Sequence, residues 1–385
     1  MLDANSRAKL EKQQYRIVGS HSAVKICGWT KNMLTGKGGC YKLKFYGIMS
    51  HQCLQMTTSI SCANRCIFCW RDYKAPVSKK WIWNVDEPEV ILEGSLHAQK
   101  KLLEGYGGNE KAIKKAFEQS GDVKHVALSL TGEPIMYPRL NELLHLFNEK
   151  GISTFLVTNA QHAHELSLLN PVTQLYLSVD APNKELLKQI DKPLYEDFWE
   201  RFQQSLEEAG KKKARTTIRI TVIRGLNDNN PESYAESIKK ADADFVEVKA
   251  YMHIGESRNR MKREHMPNHS EIVEFSEQLA PFLEDYELIM EHKPSRVTLF
   301  VHKRFKKDDG WHTWIDFEKN KELMLDNNGD INALDYNRKT PEQFIGLNKE
   351  ENRMVDGRSI YLRKNDEETG FLSVCEAGEE TDLDE

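Results

Sequence analysis

Cys62, Cys66 and Cys69 stand in the run Ser61-Cys62-Ala63-Asn64-Arg65-Cys66-Ile67-Phe68-Cys69-Trp70-Arg71, with three and then two residues between the thiols. Three thiolates at this spacing can take three corners of a cubane 4Fe-4S cluster from one short loop, leaving the fourth iron without a protein ligand. That open iron is where chemistry can happen. Zinc also takes thiolates, but a structural zinc site is closed by a fourth Cys or His at regular spacing, and the nearest downstream histidine is His97. A disulfide framework suits the chain less well, because the seven cysteines are an odd number. Six of them crowd between Cys27 and Cys69, as ligation would require.

Upstream, Cys27, Cys40 and Cys53 follow one another at intervals of thirteen residues. They would hold a second cluster if the fold gathered their loops; spacing alone leaves three buried free thiols as the alternative. Among them runs Gly36-Lys37-Gly38-Gly39-Cys40-Tyr41-Lys42. Glycines let the backbone approach a ligand closely, and a lysine beside a cluster cysteine could sit in a partly dehydrated, electropositive pocket. Its pKa would fall there, freeing the neutral amine of Lys42 to attack a carbonyl. The plain alternative is a surface cation.

The cysteine spacing, with aromatic Phe68 just before the last thiol, resembles the signature of radical S-adenosylmethionine (SAM) enzymes. The elements that must position it can be counted. Apolar, β-rich runs occur at 54–59, 125–130, 153–157, 174–179, 217–223 and 245–250. Stretches of helical period lie between them, at 89–103, 140–149, 194–208 and 232–240. This is an α/β rhythm, and six parallel units make a partial TIM barrel, (β/α)6, of the radical SAM type. Reactive groups then gather at the C-terminal strand ends, and the cysteine loop follows the first strand directly.

The strand ends read as a cofactor site. After the second strand comes Thr131-Gly132-Glu133, which resembles the Gly-Gly-Glu motif holding the methionine amino group of SAM, with Thr131 replacing the first glycine. Asn159 follows the third strand, Ser178 and Asp180 the fourth, and Asn227 the fifth. Taken singly these residues are turn formers; their shared position points to SAM. Lys249, Tyr251 and Arg258, after the sixth strand, could stack on a base and contact phosphates. The aromatic run from Trp311 through Trp314 to Phe317 is either a substrate surface or a hydrophobic plug beneath the barrel.

The formal net charge of -5 is misleading. Residues 366–385 hold nine acidic side chains and no Lys or Arg; without them 54 basic groups face 50 acidic ones. Basic patches at 211–215, 258–263 and 302–307 could meet phosphates, although a solvated surface explains any one of them. Hydrophobic content of 39% suits a soluble globular protein. With no run of eighteen apolar residues and a polar start, the expectation is a cytoplasmic protein without membrane contact. The expected organisation is an N-terminal extension with the second cysteine set (1–53), the barrel (54–303), a C-terminal extension that is polar from Asn320 (304–365) and a disordered acidic tail (366–385).

Both cysteine sets, Cys62 to Arg71, Lys42, Val248-Lys249-Ala250-Tyr251-Met252 and Trp311 to Asp316 together resemble the tRNA 4-demethylwyosine synthase family. The likeness spans roughly residues 15–320. It implies that Cys62, Cys66 and Cys69 hold the cluster that reduces SAM to methionine and a 5′-deoxyadenosyl radical. It further implies that Cys27, Cys40 and Cys53 hold an auxiliary 4Fe-4S cluster, and that Lys42 forms a Schiff base with pyruvate. The implied RNA is tRNA-Phe carrying N1-methylguanosine just 3′ of the anticodon. Eukaryotic relatives carry a flavodoxin-like domain that this sequence lacks, so an external electron donor of flavodoxin or ferredoxin type is implied. The alternatives are another radical SAM enzyme acting on RNA and a non-catalytic iron–sulfur protein that binds nucleic acid.

Overall fold

The computed structural model describes residues 2–347 apart from Asp3, Tyr73 and 327–330. The expected acidic tail and residues 348–365 of the polar run before it lie outside the described residues. After a short helix (Ala4–Lys12) the chain forms a hairpin of β1 (Arg16–Val18) and β2 (Ser22–Val24). This hairpin joins the main sheet antiparallel to β3 (Cys53–Thr57). The sequence reading missed it, because strands of three residues are too short to show a period.

Then β4 (His125–Leu128), β5 (Ser153–Thr158), β6 (Gln174–Ser178), β7 (Thr216–Val222) and β8 (Phe245–Ala250) follow, each parallel to the one before. These are the six expected strands. A terminal hairpin, β9 (Tyr286–His292) and β10 (Val297–His302), completes the sheet, with β10 antiparallel to β8 and β9 at the edge.

Parallel strands must be apolar on the face that a helix layer covers. Leu54, Val126, Leu156, Leu177, Ile220 and Val248 pack outward under the helices, while Ala127, Phe155, Tyr176 and Phe245 point inward. The helix Leu140–Glu149 buries Leu140, Leu143, Leu144 and Phe147 along one face, each contributing about 1.5–3 kcal/mol relative to exposure. Within the strands the half-exposed positions are mainly inward ones: Gln55, Val157, Ser178, Arg219, Thr221 and Lys249. The inward face is therefore packed at Phe155, Tyr176 and Phe245 and partly exposed at these six positions.

Two sequence expectations need correction. The helix expected at 194–208 runs from Phe198 to Gly210, and an unexpected helix, Lys184–Asp191, precedes it. Pro193 disfavours helical backbone at Lys192, which takes a left-handed φ of 44° and ends the first helix. The segment from Asn320 is also more than a polar extension. Its helix (Phe317–Asp326) and the buried Ile331, Ala333, Tyr336 and Phe344 close the N-terminal end of the barrel. There the Tyr336 hydroxyl accepts from Arg215 N and donates to Thr173 O.

Candidate active site

The cysteine loop leaves β3 and is strapped to its neighbours by backbone bonds. Arg65 N and Ile67 N donate to the carbonyls of Asp191 and Ile190 at 2.9 and 2.8 Å, and Leu194 N donates to Ala63 O at 2.8 Å. Cys62 is buried, and its sulfur receives Asn64 N and Asn159 Nδ2, both at 3.4 Å. Burial pushes the Cys62 thiol up to about 11, against the pull of Arg71. Arg71 is itself buried and anchored to Asn64 O at 2.8 Å. Burial works against its charge, but the three cysteines around it outweigh this and raise its pKa. A fixed cation among three thiols favours their anionic, metal-ligating form.

Cys27 and Cys40 stand at the N-caps of two short helices, Gly28–Leu34 and Tyr41–Tyr46, and Cys53 opens β3. Uncapped helix N–H groups face the first two thiols, from Trp29 and Thr30 toward Cys27 and from Lys42 toward Cys40. Burial pushes Cys40 and Cys53 up to about 12, with neighbouring Cys27 adding to it. The fold thus brings the three thiols within electrostatic reach of one another.

Among the described residues no group of three or more His, Cys, Asp or Glu side chains converges as ligands to a single ion do. Ligands of a cubane each bind a different iron and need not converge. The donor sets, soft and exclusively thiol, fit clusters better than zinc.

Gly132 has φ +68°, and a Cβ there would lie 1.9 Å from Ser59 O, so the backbone before Glu133 can press against the cysteine loop only as glycine. Glu133 N in turn donates to Ser61 O at 2.8 Å. The Glu133 carboxylate is buried; Oε2 accepts Asn159 N at 3.0 Å, while Oε1 has no hydrogen-bond partner among the described residues. A buried acceptor without a donor suits an incoming ammonium. Thr131 is half-buried beside it, and Ser178 ends β6 on the inward face. Asp180 accepts Thr221 N at 3.3 Å, and burial raises its pKa to about 6.

Asn227 does not belong with these. It is fully buried, its Oδ1 accepts Ile223 N, and its Nδ2 donates to the carbonyls of Asp180 and Thr221 at 2.8 Å. Its amide is consumed in tying β7 to the end of β6, leaving no donor for SAM.

Lys42 projects into the barrel, with Nζ 4.0 Å from the centre of the Tyr176 ring. Burial lowers its pKa, although Glu247 and Cys40 pull the other way. Lys249 is brought beside this pocket: Nζ donates to Ser295 O at 2.7 Å, and burial lowers it to about 8. Sequence reasoning missed Glu247, which is fully buried and accepts the hydroxyls of Tyr41 and Tyr46 at 2.9 Å each. It also missed Arg219, whose charge is favoured by Tyr41 and Glu247 against the cost of burial. Charged residues at inward positions of otherwise buried strands were the available signal.

Three expected substrate contacts are corrected. Tyr251 is buried, with its hydroxyl on Ser257 Oγ at 3.0 Å, and cannot stack on a base without leaving the core. Trp314 is buried, donates from Nε1 to Lys44 O at 3.0 Å and stacks on Phe344. Trp311 is buried with it in the core that closes the bottom of the barrel. Arg258 is exposed, with Nε on His253 O at 3.0 Å.

The chain matches the radical SAM superfamily model over residues 56–238 and the wyosine base formation model over 240–302. The mouse S-adenosyl-L-methionine-dependent tRNA 4-demethylwyosine synthase TYW1 is 44% identical over 97% of this chain and 52% of its own length. The yeast (Saccharomyces cerevisiae) synthase is 41% identical over 99% and 48%. The chain thus spans about half the length of these curated relatives. A solved structure of TYW1 with a lysine-pyruvate adduct bound aligns at a TM-score of 0.72 and 38% identity, covering 80% of this chain and 99% of that one. A crystal structure of archaeal TYW1 aligns at 0.65 and 34%, with the same coverage. With thiol loop, glycine-backed carboxylate and barrel lysine placed on a fold matched over 80% of its residues, the chain belongs to the TYW1 family of radical SAM proteins.

Proposed function

We propose that this protein joins N1-methylguanosine, 3′ of the anticodon in tRNA-Phe, to the second and third carbons of pyruvate, the bond to the carboxylate carbon breaking and that carbon leaving as a one-carbon product, to form the tricyclic core of 4-demethylwyosine. The observation that carries the reading is Lys42, an amine depressed in pKa by burial inside the barrel and next to Cys40. The solved relative holding a lysine-pyruvate adduct supports it.

Pyruvate offers a keto carbon and a carboxylate. The neutral Lys42 amine attacks the keto carbon, water leaves, and a Schiff base holds the substrate. The carboxylate then finds cations at Lys249 and Arg219, on neighbouring strands of the same interior. Cys27, Cys40 and Cys53 would hold an auxiliary cluster at this end of the pocket. At the other end Cys62, Cys66 and Cys69 would hold the cluster that, with SAM, supplies a 5′-deoxyadenosyl radical. Glu133 Oε1 receives the methionine ammonium, and Thr131, Asn159, Ser178 and Asp180 line the remaining SAM contacts. A closed interior matters because a primary carbon radical is unselective, so the chain's task is placement and exclusion of water.

The methylated base must be splayed out of its anticodon loop to reach this interior. Exposed Ile254, Arg258 and Lys262 beyond β8 offer an apolar spot flanked by cations for that approach. Electrons come from a donor of flavodoxin or ferredoxin type in the cytoplasm. No helix among the described residues is long and apolar enough to cross a membrane.

The test is borohydride trapping. Anaerobic protein incubated with labelled pyruvate and then reduced should carry the label on the peptide containing Lys42, and a Lys42→Arg protein should carry none. Label on another lysine, or none on the unaltered protein, would overturn the assignment.

A further inference from the structure

The stretch after β8 is bolted to the cysteine loop through carbonyl groups. Arg260 donates from Nε to Ile67 O at 3.1 Å and from Nη2 to Cys69 O and to Arg71 O, the last at 3.3 Å. The Trp70 carbonyl between them accepts Glu256 N at 2.9 Å. Gly255 makes this approach feasible: its φ is +57°, and a Cβ there would lie 2.6 Å from Trp70 O. One short segment therefore holds the carbonyls of Ile67, Cys69, Trp70 and Arg71, the second half of the cysteine loop. A guanidinium suits this task, since its donors are fixed in one plane and reach several acceptors at once.

The outer side of the same segment is open. Ile254 is 45% exposed, and Arg258 and Lys262 are exposed beside it. Anything that presses on this outer face presses on a segment whose inner face grips the metal-binding loop.

We propose that Arg260 is a positioning residue that couples RNA seated on the Ile254–Lys262 face to the cysteine loop, holding Cys66–Arg71 in the arrangement that cleaves SAM. The inference rests on the reading that this protein acts on tRNA. Orientation of ligands by outer hydrogen bonds is a general means of tuning metal sites. The linkage is reciprocal: a well-held cysteine loop also presents a better-ordered RNA surface.

The experiment compares unaltered protein with Arg260→Ala and Arg260→Lys, each reconstituted and matched for iron content, with and without tRNA-Phe carrying N1-methylguanosine. Hydrogen exchange of the peptide spanning 64–72 is read first, and 5′-deoxyadenosine formed from SAM with dithionite as reductant is read second. In the unaltered protein RNA should slow exchange in that peptide and raise 5′-deoxyadenosine formation. In Arg260→Ala both responses should shrink by about tenfold, the loss expected when charged hydrogen bonds are removed. If that variant fails to retain iron, Arg260→Lys is read the same way, because a point charge cannot span three carbonyls.

RNA responses of full size in a variant would overturn the proposal, as would an unaltered protein whose cysteine loop ignores bound RNA. Unaltered protein that binds no tRNA would sink the functional reading, and this inference with it.

Discussion

Glu133 offers a buried oxygen that lacks a donor, and a methionine ammonium would supply one. Glu133→Gln keeps the size and the acceptor for Asn159 N but removes the charge. A hydrogen bond to a charged group contributes about 1.5–3 kcal/mol, so SAM should bind roughly 10- to 100-fold more weakly at unchanged iron content, as measured by calorimetry. An unchanged affinity would show that the ammonium sits elsewhere. Asn227 gives the opposite expectation. Asn227→Ala leaves Ile223 N, Asp180 O and Thr221 O without their partner, so thermal stability should fall by about 2–4 kcal/mol. The folded fraction should bind SAM as before; a specific loss of affinity would restore Asn227 to the cofactor site. Residue types at strand ends could not separate these two cases, because an asparagine that caps a turn and one that meets a ligand look alike until its partners are known. Thr131-Gly132-Glu133 stood out in the sequence by its resemblance to Gly-Gly-Glu, and the close approach of Gly132 to Ser59 gives the steric reason for its glycine. Tyr251 was misread because an aromatic near basic residues carries no mark of burial.

The six parallel strands showed through in the sequence because the positions under the helices, such as Leu54, Val126, Leu156, Leu177, Ile220 and Val248, are apolar, and the helices between them carry a 3.6-residue period. Elements held by tertiary contacts alone did not show. The β1–β2 hairpin is too short to have a pattern, and the closing segment beyond Asn320 is polar in composition yet buries Ile331, Tyr336 and Phe344. Trp314 belongs to this closure. It lies against Gly47, whose φ is +78° and whose added Cβ would stand 3.1 Å from the indole. Gly47→Ala should therefore cost about 1–3 kcal/mol, from left-handed strain and the displaced ring together. A lower urea midpoint with altered tryptophan fluorescence would report it. A midpoint equal to that of the unaltered protein would mean that the helix Tyr41–Tyr46 and the closing segment are not packed as described.

Over the whole molecule, one cysteine set follows the end of β3, and the other, with Lys42 beside it, includes Cys53 at the start of that strand. If each set holds a cube, reconstituted protein should carry about eight irons per chain. Replacing Cys27, Cys40 and Cys53 together by serine should leave about four and keep SAM cleavage. Loss of all iron would mean that the two sets are not independent. The proposed joining of a methylated guanosine to pyruvate is tested most directly by nucleoside mass spectrometry. Anaerobic protein is incubated with SAM, dithionite, tRNA-Phe carrying N1-methylguanosine, and pyruvate labelled at its second and third carbons. A heavier guanosine derivative containing both labels, absent from the Lys42→Ala reaction, is expected. Cleavage of SAM with an unchanged tRNA, or a product lacking the labels, would contradict the proposal.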